Sequence, residues 1–417
     1  MIVRRVTAEN IRHTIEDMSR FGRDTEEGVT RLAFSDSDIA AREYLRKRFE
    51  SLDLIVTVDQ IGNLFARRNG RNNKLAVLGI GSHTDSVPNG GKFDGVAGIA
   101  VALEVLRILN ERKYESNQPI ELVVLAAEEG SRFPIFLGSK VMTGLMSLED
   151  AYRFEDANGT SVKEAVTKTL GSEHAESARK PVGYFTAWIE PHVEQGSVLE
   201  QHGCNLGIVT KIVGIQQLHV AFGGGSGHAG TPMNLRRDPM VAAATLIAEL
   251  PRIASRVSSH LVVTVGALKV TPGASNVIPR IAEFVMDFRD FELGGMERFR
   301  RVMNQRASEI SENLNVSYSI REISKSSPTP MDETLIDLIE DTANSLALRT
   351  MRIVSRAGHD TQNISRIARC GMIFAPSKGG ISHAPSEFTD WRQLTDVTDV
   401  LLHVVQNLSI GGQLGFS

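Results

Sequence analysis

Five residues of metal-binding type stand in five separate motifs: His83 in GSHTDS, Asp94 in KFDG, Glu129 in AAEEGSRF, His192 in PHVEQG and His383 in ISHAPSEF. Their order and chemistry suit a pair of metal ions with one water between them, and that constrains both the fold and the reaction. Such a pair makes hydroxide at neutral pH and polarises a carbonyl at once.

With 417 residues the chain exceeds the size at which a single hydrophobic core keeps growing, so two domains are expected. It is 41% hydrophobic and 23% charged with a net charge of -4, enough apolar material for sizeable cores and no large field of one sign. That balance argues against nucleic acid or an anionic membrane as partner. The N-terminal stretch MIVRRVTAENIRHTIEDMSR is charged throughout and lacks the apolar run of a signal peptide or membrane span, so an intracellular, cytoplasmic protein is expected. Cys204 and Cys370 lie far apart, which gives neither a CxxC motif nor a disulfide framework. Both are read as buried and reduced.

The first third alternates apolar runs with an amphipathic stretch. LAVLGIG (75–81) and IELVVLAA (120–127) have the pattern of strands buried on both faces. Between them, Val96, Ile99, Ala100, Leu103, Leu106 and Leu109 recur at helical intervals within 95–110. Strand, helix, strand is a parallel βαβ unit, whose ligands bind beyond the carboxyl ends of the strands. His83 and Glu129 both fall just after a predicted strand.

From about Gly214 the texture becomes that of alternating strands, at 215–222, 261–270 and 280–290, separated by helices at 239–253 and 296–314. SKSSPTPMDE (324–333) reads as a linker, followed by a helix over 333–346 and the loop of His383. The fold class expected is therefore α/β: a mixed-sheet catalytic domain, discontinuous over 1–213 and 328–417, with a smaller α+β domain inserted over 214–327.

His83 and Asp85 form an H-x-D pair in which the carboxylate can accept the imidazole's second N–H. Asp94, between Gly91 and Gly95, could bridge two ions through its two oxygens, and the glycines let backbone approach a crowded centre. Glu128 and Glu129 point to opposite sides of an extended segment, so one can bind metal while the other faces the reacting water. Glu194, two residues beyond His192, is a competing ligand. His359 and Asp360 in AGHD are read as shaping their loop through hydrogen bonds. His13, His174, His202, His219, His260 and His403 have no motif around them and receive no chemistry.

Through GSHTDSVPNGGKFDGVAGI, AAEEGSRF, HVEQGSVLE, SGHAGTPMNLRRDPM, GASNVIPRIAEFVMDFRD, AGHDTQNIS and GISHAPSEF, the chain resembles the M20 metallopeptidase clan over nearly its whole length. Within it, the nearest pattern is that of the amidohydrolases acting on ureido and carbamoyl compounds, the group of N-carbamoyl-L-amino acid hydrolases, allantoate amidohydrolases and β-ureidopropionases. The resemblance implies two divalent ions per subunit, zinc by default, with manganese, cobalt and nickel also compatible. Asp94 would bridge them, with Glu129 and His383 completing one site and His83 and His192 the other. Glu128 would be the general base and Asp85 the partner of His83. In peptidase members of the clan a carboxylate stands in place of His192, so this histidine favours the carbamoyl branch.

The same resemblance makes the inserted domain a lid and dimerisation domain, and the protein a homodimer. His228 would stabilise charge on the tetrahedral intermediate, and Asn276 and Arg289 would bind substrate, Arg289 through its two-pronged guanidinium. Gln195 and Gly358 would make further substrate contacts. The implied reaction is hydrolysis of the C–N bond of a small-molecule ureido substrate bearing a carboxylate, an N-carbamoyl-L-amino acid or allantoate, releasing ammonia and carbon dioxide. The alternative is an aminopeptidase or carboxypeptidase on the same scaffold.

Overall fold

The computed structural model describes residues 6–171 and 175–410; the first five residues of the N-terminal stretch and His174 lie outside them. By its contacts the chain divides into two compact units. Unit 1 is built from the chain up to Thr210, Met331–Ser355 and the chain from His359 onward, and unit 2 from Lys211–Pro330 with Arg356–Gly358.

In chain order, unit 1 begins with helices α1 (Ala8–Met18) and α2 (Asp36–Glu50) and strands β1 (Ile55–Val58), β2 (Leu64–Arg68) and β3 (Val77–His83). Helix α3 (Val96–Glu111), strand β4 (Ile120–Leu125) and three short helices, α4 (Leu137–Met142), α5 (Leu148–Tyr152) and α6 (Val162–Leu170), follow. Strand β5 (Phe185–Val193), helix α7 (Val198–Gln201) and strand β6 (Leu206–Ile212) lead to unit 2. There the chain forms β7 (Gly214–Gly223), β8 (Gly227–His228), α8 (Pro239–Val257), β9 (Val262–Thr271), β10 (Val277–Ile278), β11 (Ile281–Asp290), α9 (Leu293–Leu314), β12 (Ser317–Ser326) and β13 (Thr329–Pro330). It returns to unit 1 as α10 (Glu333–Ser345), β14 (Thr350–Ser355), α11 (Thr361–Ile364), β15 (Cys370–Ala375) and α12 (Trp391–Ile410).

The sheet of unit 1 runs β1-β2-β4-β3-β5-β15-β6, with β14 also on β6. Its centre, β4-β3-β5-β15, is parallel, and the flanking pairs β2 with β4 and β15 with β6 are antiparallel, which makes it mixed. Every residue of β3 and β4 is buried, as their continuous apolar runs require when helices cover the sheet. Helix α3 is buried on nearly all sides because it packs against the sheet as well as α1 and α12. The strands read from the sequence are present with ends shifted by one or two residues, β3 starting at Val77 and not Leu75, while α8 runs four residues beyond the expected end and α9 starts three residues before the expected start. Where the chain leaves and rejoins unit 1, the Met331 N–H donates to the Thr210 carbonyl at 2.9 Å.

Unit 2 has its own core. Alternate residues of β7 and β11, among them Leu218, Val220, Phe222, Phe284, Met286 and Phe288, are buried with Leu246 and Leu250 of α8 and Phe299 and Met303 of α9. Its sheet is ordered β12-β7-β11-β9, all antiparallel. Strand β12 corrects the sequence reading: Ser324, Lys325 and Ser326, taken there as the start of a linker, pair with Gln217, Gln216 and Ile215 of β7. It escapes a hydrophobic pattern because it is an edge strand exposed over most of its length. Both cysteines are buried and free. Among the described residues, no helix is long and apolar enough to cross a membrane.

Candidate metal centre

The parallel centre of the sheet delivers the motif residues to one end. His83 is the last residue of β3, which corrects its placement beyond the strand, and Glu128 and Glu129 follow the end of β4. His192 is the penultimate residue of β5, and the loop after β15 carries His383. Asp94 lies before Gly95, the residue that caps α3 with φ of 63°. Glycine is required at 95 twice over, because a Cβ there would also meet the His83 ring at 2.6 Å.

Asp94 presents its two oxygens to two groups of candidate metal-binding side chains. Oδ1 lies 3.2 Å from His192 Nε2 and 3.8 Å from His83 Nε2. Oδ2 lies 2.9 Å from His383 Nε2, which is itself 3.6 Å from Glu129 Oε2. The donor atoms of His83, Asp94 and His192 lie within 4.8 Å of one another, as do those of Asp94, Glu129 and His383, and those of His83, Glu128 and Glu129. Glu128 Oε2 stands 3.8 Å from His83 Nε2. Gln195 donates from Nε2 to Asp94 Oδ2 at 2.9 Å, which puts this proposed substrate contact beside the ligands.

The electrostatics are those of a crowd of acceptors. Burial, reinforced by the neighbouring carboxylates, pushes the Glu128 carboxyl well above its ordinary range. Burial and then Asp94 push Glu129 up to about 8. His383, hydrogen-bonded to Asp94, is pushed up to about 9. Burial alone would suppress the charge on His83, yet Glu128, Asp85 and Asp94 outweigh it and raise its pKa. Asp94 Oδ1 and Glu129 Oε1 are buried without a hydrogen-bond partner. Orphaned carboxylate oxygens facing imidazole nitrogens are costly as they stand. They are the donor set of a hard or borderline divalent cation, so the residues fit the metals that the motifs imply.

Other side chains hold these loops. The Asp85 carboxylate accepts from the main-chain N–H groups of Glu128 (3.2 Å) and Glu129 (3.1 Å). His83 Nδ1 is nearer the Asp85 main-chain oxygen, at 3.1 Å, than the carboxylate, at 3.6 Å, so Asp85 orients that ring mainly through its backbone. Arg31, which the sequence reading missed, is wholly buried: Nε donates to the Thr84 carbonyl at 2.6 Å and Nη1 to the Met18 and Phe21 carbonyls at the C-terminal end of α1. Glu190 accepts from Thr361 and Ser82 beneath His192, whose ring meets that of His359 edge-on at 4.6 Å. His359 Nε2 bonds Ser355 at 3.0 Å and Asp360 accepts from Ser139, the loop bonding expected of AGHD. Glu194 turns away from the cluster and accepts from Val198 and Leu199 N–H, capping α7.

In unit 2, His228 on β8 pairs with Val277 on β10, next to Asn276, whose carbonyl accepts from Ala229 N–H at 3.0 Å. The His228 side chain is exposed, with Nδ1 accepting from Gly230 N–H at 3.0 Å. Arg289 forks onto Asp287 (2.9 and 3.4 Å) and donates from Nη1 to the Arg356 carbonyl at 3.0 Å, two residues before the half-buried Gly358. The aspartate pairing is local and does not by itself require a ligand.

Comparison with known proteins finds that residues 79–407 match peptidase family M20/M25/M40. An N-carbamoyl-L-amino-acid amidohydrolase of Paenarthrobacter aurescens is 37% identical over 415 residues, 98% of this chain and 100% of that one. An allantoate amidohydrolase of Bacillus subtilis is 36% identical, covering 91% of this chain and 92% of its own. Among solved structures, a hydantoinase/carbamoylase family amidase from Burkholderia multivorans aligns with a TM-score of 0.88 at 31% identity, over 98% of this chain and 100% of that one.

Proposed function

The chain belongs to peptidase family M20/M25/M40, and on that premise we propose that it is an amidohydrolase cleaving the ureido or carbamoyl C–N bond of a small carboxylate-bearing substrate, an N-carbamoyl-L-amino acid or allantoate. The observation that most supports this chemistry is the Asp94 carboxylate, with one oxygen toward His83 and His192 and the other toward His383 and Glu129. Those five residues would hold two divalent ions, zinc by default, and manganese, cobalt and nickel suit the same His/carboxylate set. When bound, such ions supply Lewis acidity that acidifies a water and polarises a carbonyl.

The protein's own groups do the rest. Glu128 accepts a proton from the attacking water and returns it to the departing nitrogen. Asp85 fixes the backbone from which Glu128 projects. His228 hydrogen-bonds the carbonyl oxygen as negative charge develops. Arg289 exchanges part of its bond to Asp287 for the substrate carboxylate, and Gln195, Asn276 and the Gly358 backbone contact the remaining polar atoms. With a terminal carbamoyl group, one water consumed yields the free amine, ammonia and carbon dioxide. We place this reaction in a cytoplasmic homodimer whose unit 2 is lid and dimerisation domain, its exposed edge strand β9 offering main-chain groups for pairing.

The test is ammonia release from allantoate, N-carbamoyl-L- and D-amino acids, N-carbamoyl-β-alanine and dipeptides, with metal-replete and chelator-treated protein. Ammonia from a ureido compound that disappears with chelation is expected. Dipeptide cleavage without ammonia would overturn the reading in favour of a peptidase.

A further inference from the structure

Glu387 lies four residues beyond His383 and is 3% exposed. Its Oε2 accepts from the main-chain N–H groups of Phe93 at 2.8 Å and Asp94 at 3.0 Å, and its Oε1 accepts from the Ser382 hydroxyl at 2.7 Å. One carboxylate thus ties the backbone of Asp94 to the residue preceding His383. The Ser382 hydroxyl also stands 3.4 Å from Asp94 Oδ2, and a turn from Glu387 N–H to the Ala384 carbonyl closes the His383 loop on itself. Phe93 packs against Phe388 and Trp391, with ring centroids 5.6 and 5.2 Å apart, so the residues flanking this link are anchored as well.

The room for the carboxylate comes from Gly91. A Cβ there would meet Glu387 Oε2 at 2.1 Å and its carboxyl carbon at 2.4 Å, distances no real contact reaches. Gly91 does not have a left-handed φ, so what the glycine contributes here is space and not conformation. Two ligands supplied by loops far apart in sequence share an ion only if their separation is held to a few tenths of an ångström. A buried acceptor serving two N–H groups and a hydroxyl is suited to that task, and its removal strands three donors.

We infer that Glu387 is the positioning residue that sets the separation of Asp94 and His383, with Gly91 keeping its seat open. This rests on the reading of Asp94 and His383 as metal ligands. A glutamine preserves the shape: its one oxygen can accept both N–H groups while its amide faces the Ser382 oxygen.

The experiment is zinc binding by the purified full chain in competition with a chromophoric chelator, with the melting temperature of the metal-free protein recorded beside it. Glu387→Ala and Gly91→Ala are expected to bind zinc about 10- to 100-fold more weakly, while Glu387→Gln stays close to wild type. Asp94→Asn is expected to lose zinc altogether at that site. If Asp94→Asn loses zinc but Glu387→Ala and Gly91→Ala bind it like wild type, the positioning role is overturned and the ligand reading stands. If Asp94→Asn binds zinc like wild type, the ligand reading itself fails. Should Glu387→Ala melt too low to be measured, Gly91→Ala against Glu387→Gln decides: weak binding in the first alone supports the geometric role, and equal loss in both, or loss in neither, overturns it.

Discussion

The histidine and carboxylate cluster of unit 1 and the polar residues of unit 2 differ in how their hydrogen bonds close. In unit 1, Asp94 Oδ1 and Glu129 Oε1 are buried and unpartnered among imidazoles. In unit 2, His228 and Asn276 are exposed, and Arg289 is occupied by Asp287 and the Arg356 carbonyl. A buried orphan costs of the order of 1–3 kcal/mol, and more when charged, whereas an exposed group loses nothing to water. The cluster of unit 1 therefore has open acceptor sites that suit a cation, while the polar residues of unit 2 are already satisfied by water or by local partners.

The largest effect should come from the residue in the cluster that is a base in this reading and not a ligand. Glu128→Gln is expected to keep its zinc content, measured by atomic emission, and to lose roughly 10²- to 10⁴-fold in ammonia release. Loss of zinc along with the rate would make Glu128 a ligand and redraw the centre. For unit 2, Arg289→Met should raise KM for the ureido substrate by roughly 10- to 100-fold with a smaller change in kcat. Steady-state kinetics that leave KM untouched would reduce Arg289 to the partner of Asp287.

Asp59 supplies a contrast inside unit 1: a wholly buried carboxylate that accepts from Ile61 N–H, Asn63 N–H and the Asn63 amide, and so needs no cation. Burial nevertheless pushes it up to about 7. The folded protein then holds this proton more tightly than the unfolded chain does. Its stabilising contribution is complete below about pH 4 and fades as pH rises through 7. Urea unfolding of wild type and Asp59→Asn should show the wild type losing about 2–3 kcal/mol relative to the variant between pH 5 and pH 8; a flat difference would mean that Asp59 is already ionised at pH 5. Smallest of all, Glu194→Ala should leave zinc stoichiometry unchanged and cost about 1 kcal/mol of stability through the lost cap on α7. A drop in bound zinc would return Glu194 to the ligand set.

What was legible in the sequence follows the same division. Strands β3 and β4 could be read because burial on both faces demands unbroken apolar runs, and of the five motif residues His83 and Glu129 could be placed because they stand at or just beyond the ends of these strands. Strand β5 is buried except at the half-buried Thr186 but carries Glu190, Pro191 and His192, whose place in the sheet no hydrophobic pattern reveals. Arg31 and Glu387 were invisible as site residues because their role is to bond main chain that is distant in sequence. The residue types reveal the candidate ligands, whereas the groups that hold their loops emerge only once the fold has joined 31 to 84 and 387 to 94. Glu194 shows the converse, a carboxylate beside a ligand in sequence that serves a helix end in space.

The hydrogen bond between Met331 and Thr210 has a consequence for how such a chain can change over generations. To unit 1, everything from Lys211 to Pro330 is a single excursion whose two feet touch. The entropy of closing an excursion grows only with the logarithm of its length, each doubling costing about 0.6 kcal/mol. Trimming the inserted segment to a tight hairpin, enlarging it, or exchanging it for a foreign fold would then leave the strand order of unit 1 undisturbed. Such an exchange would leave His83 and His192 in place on the parallel strands β3 and β5.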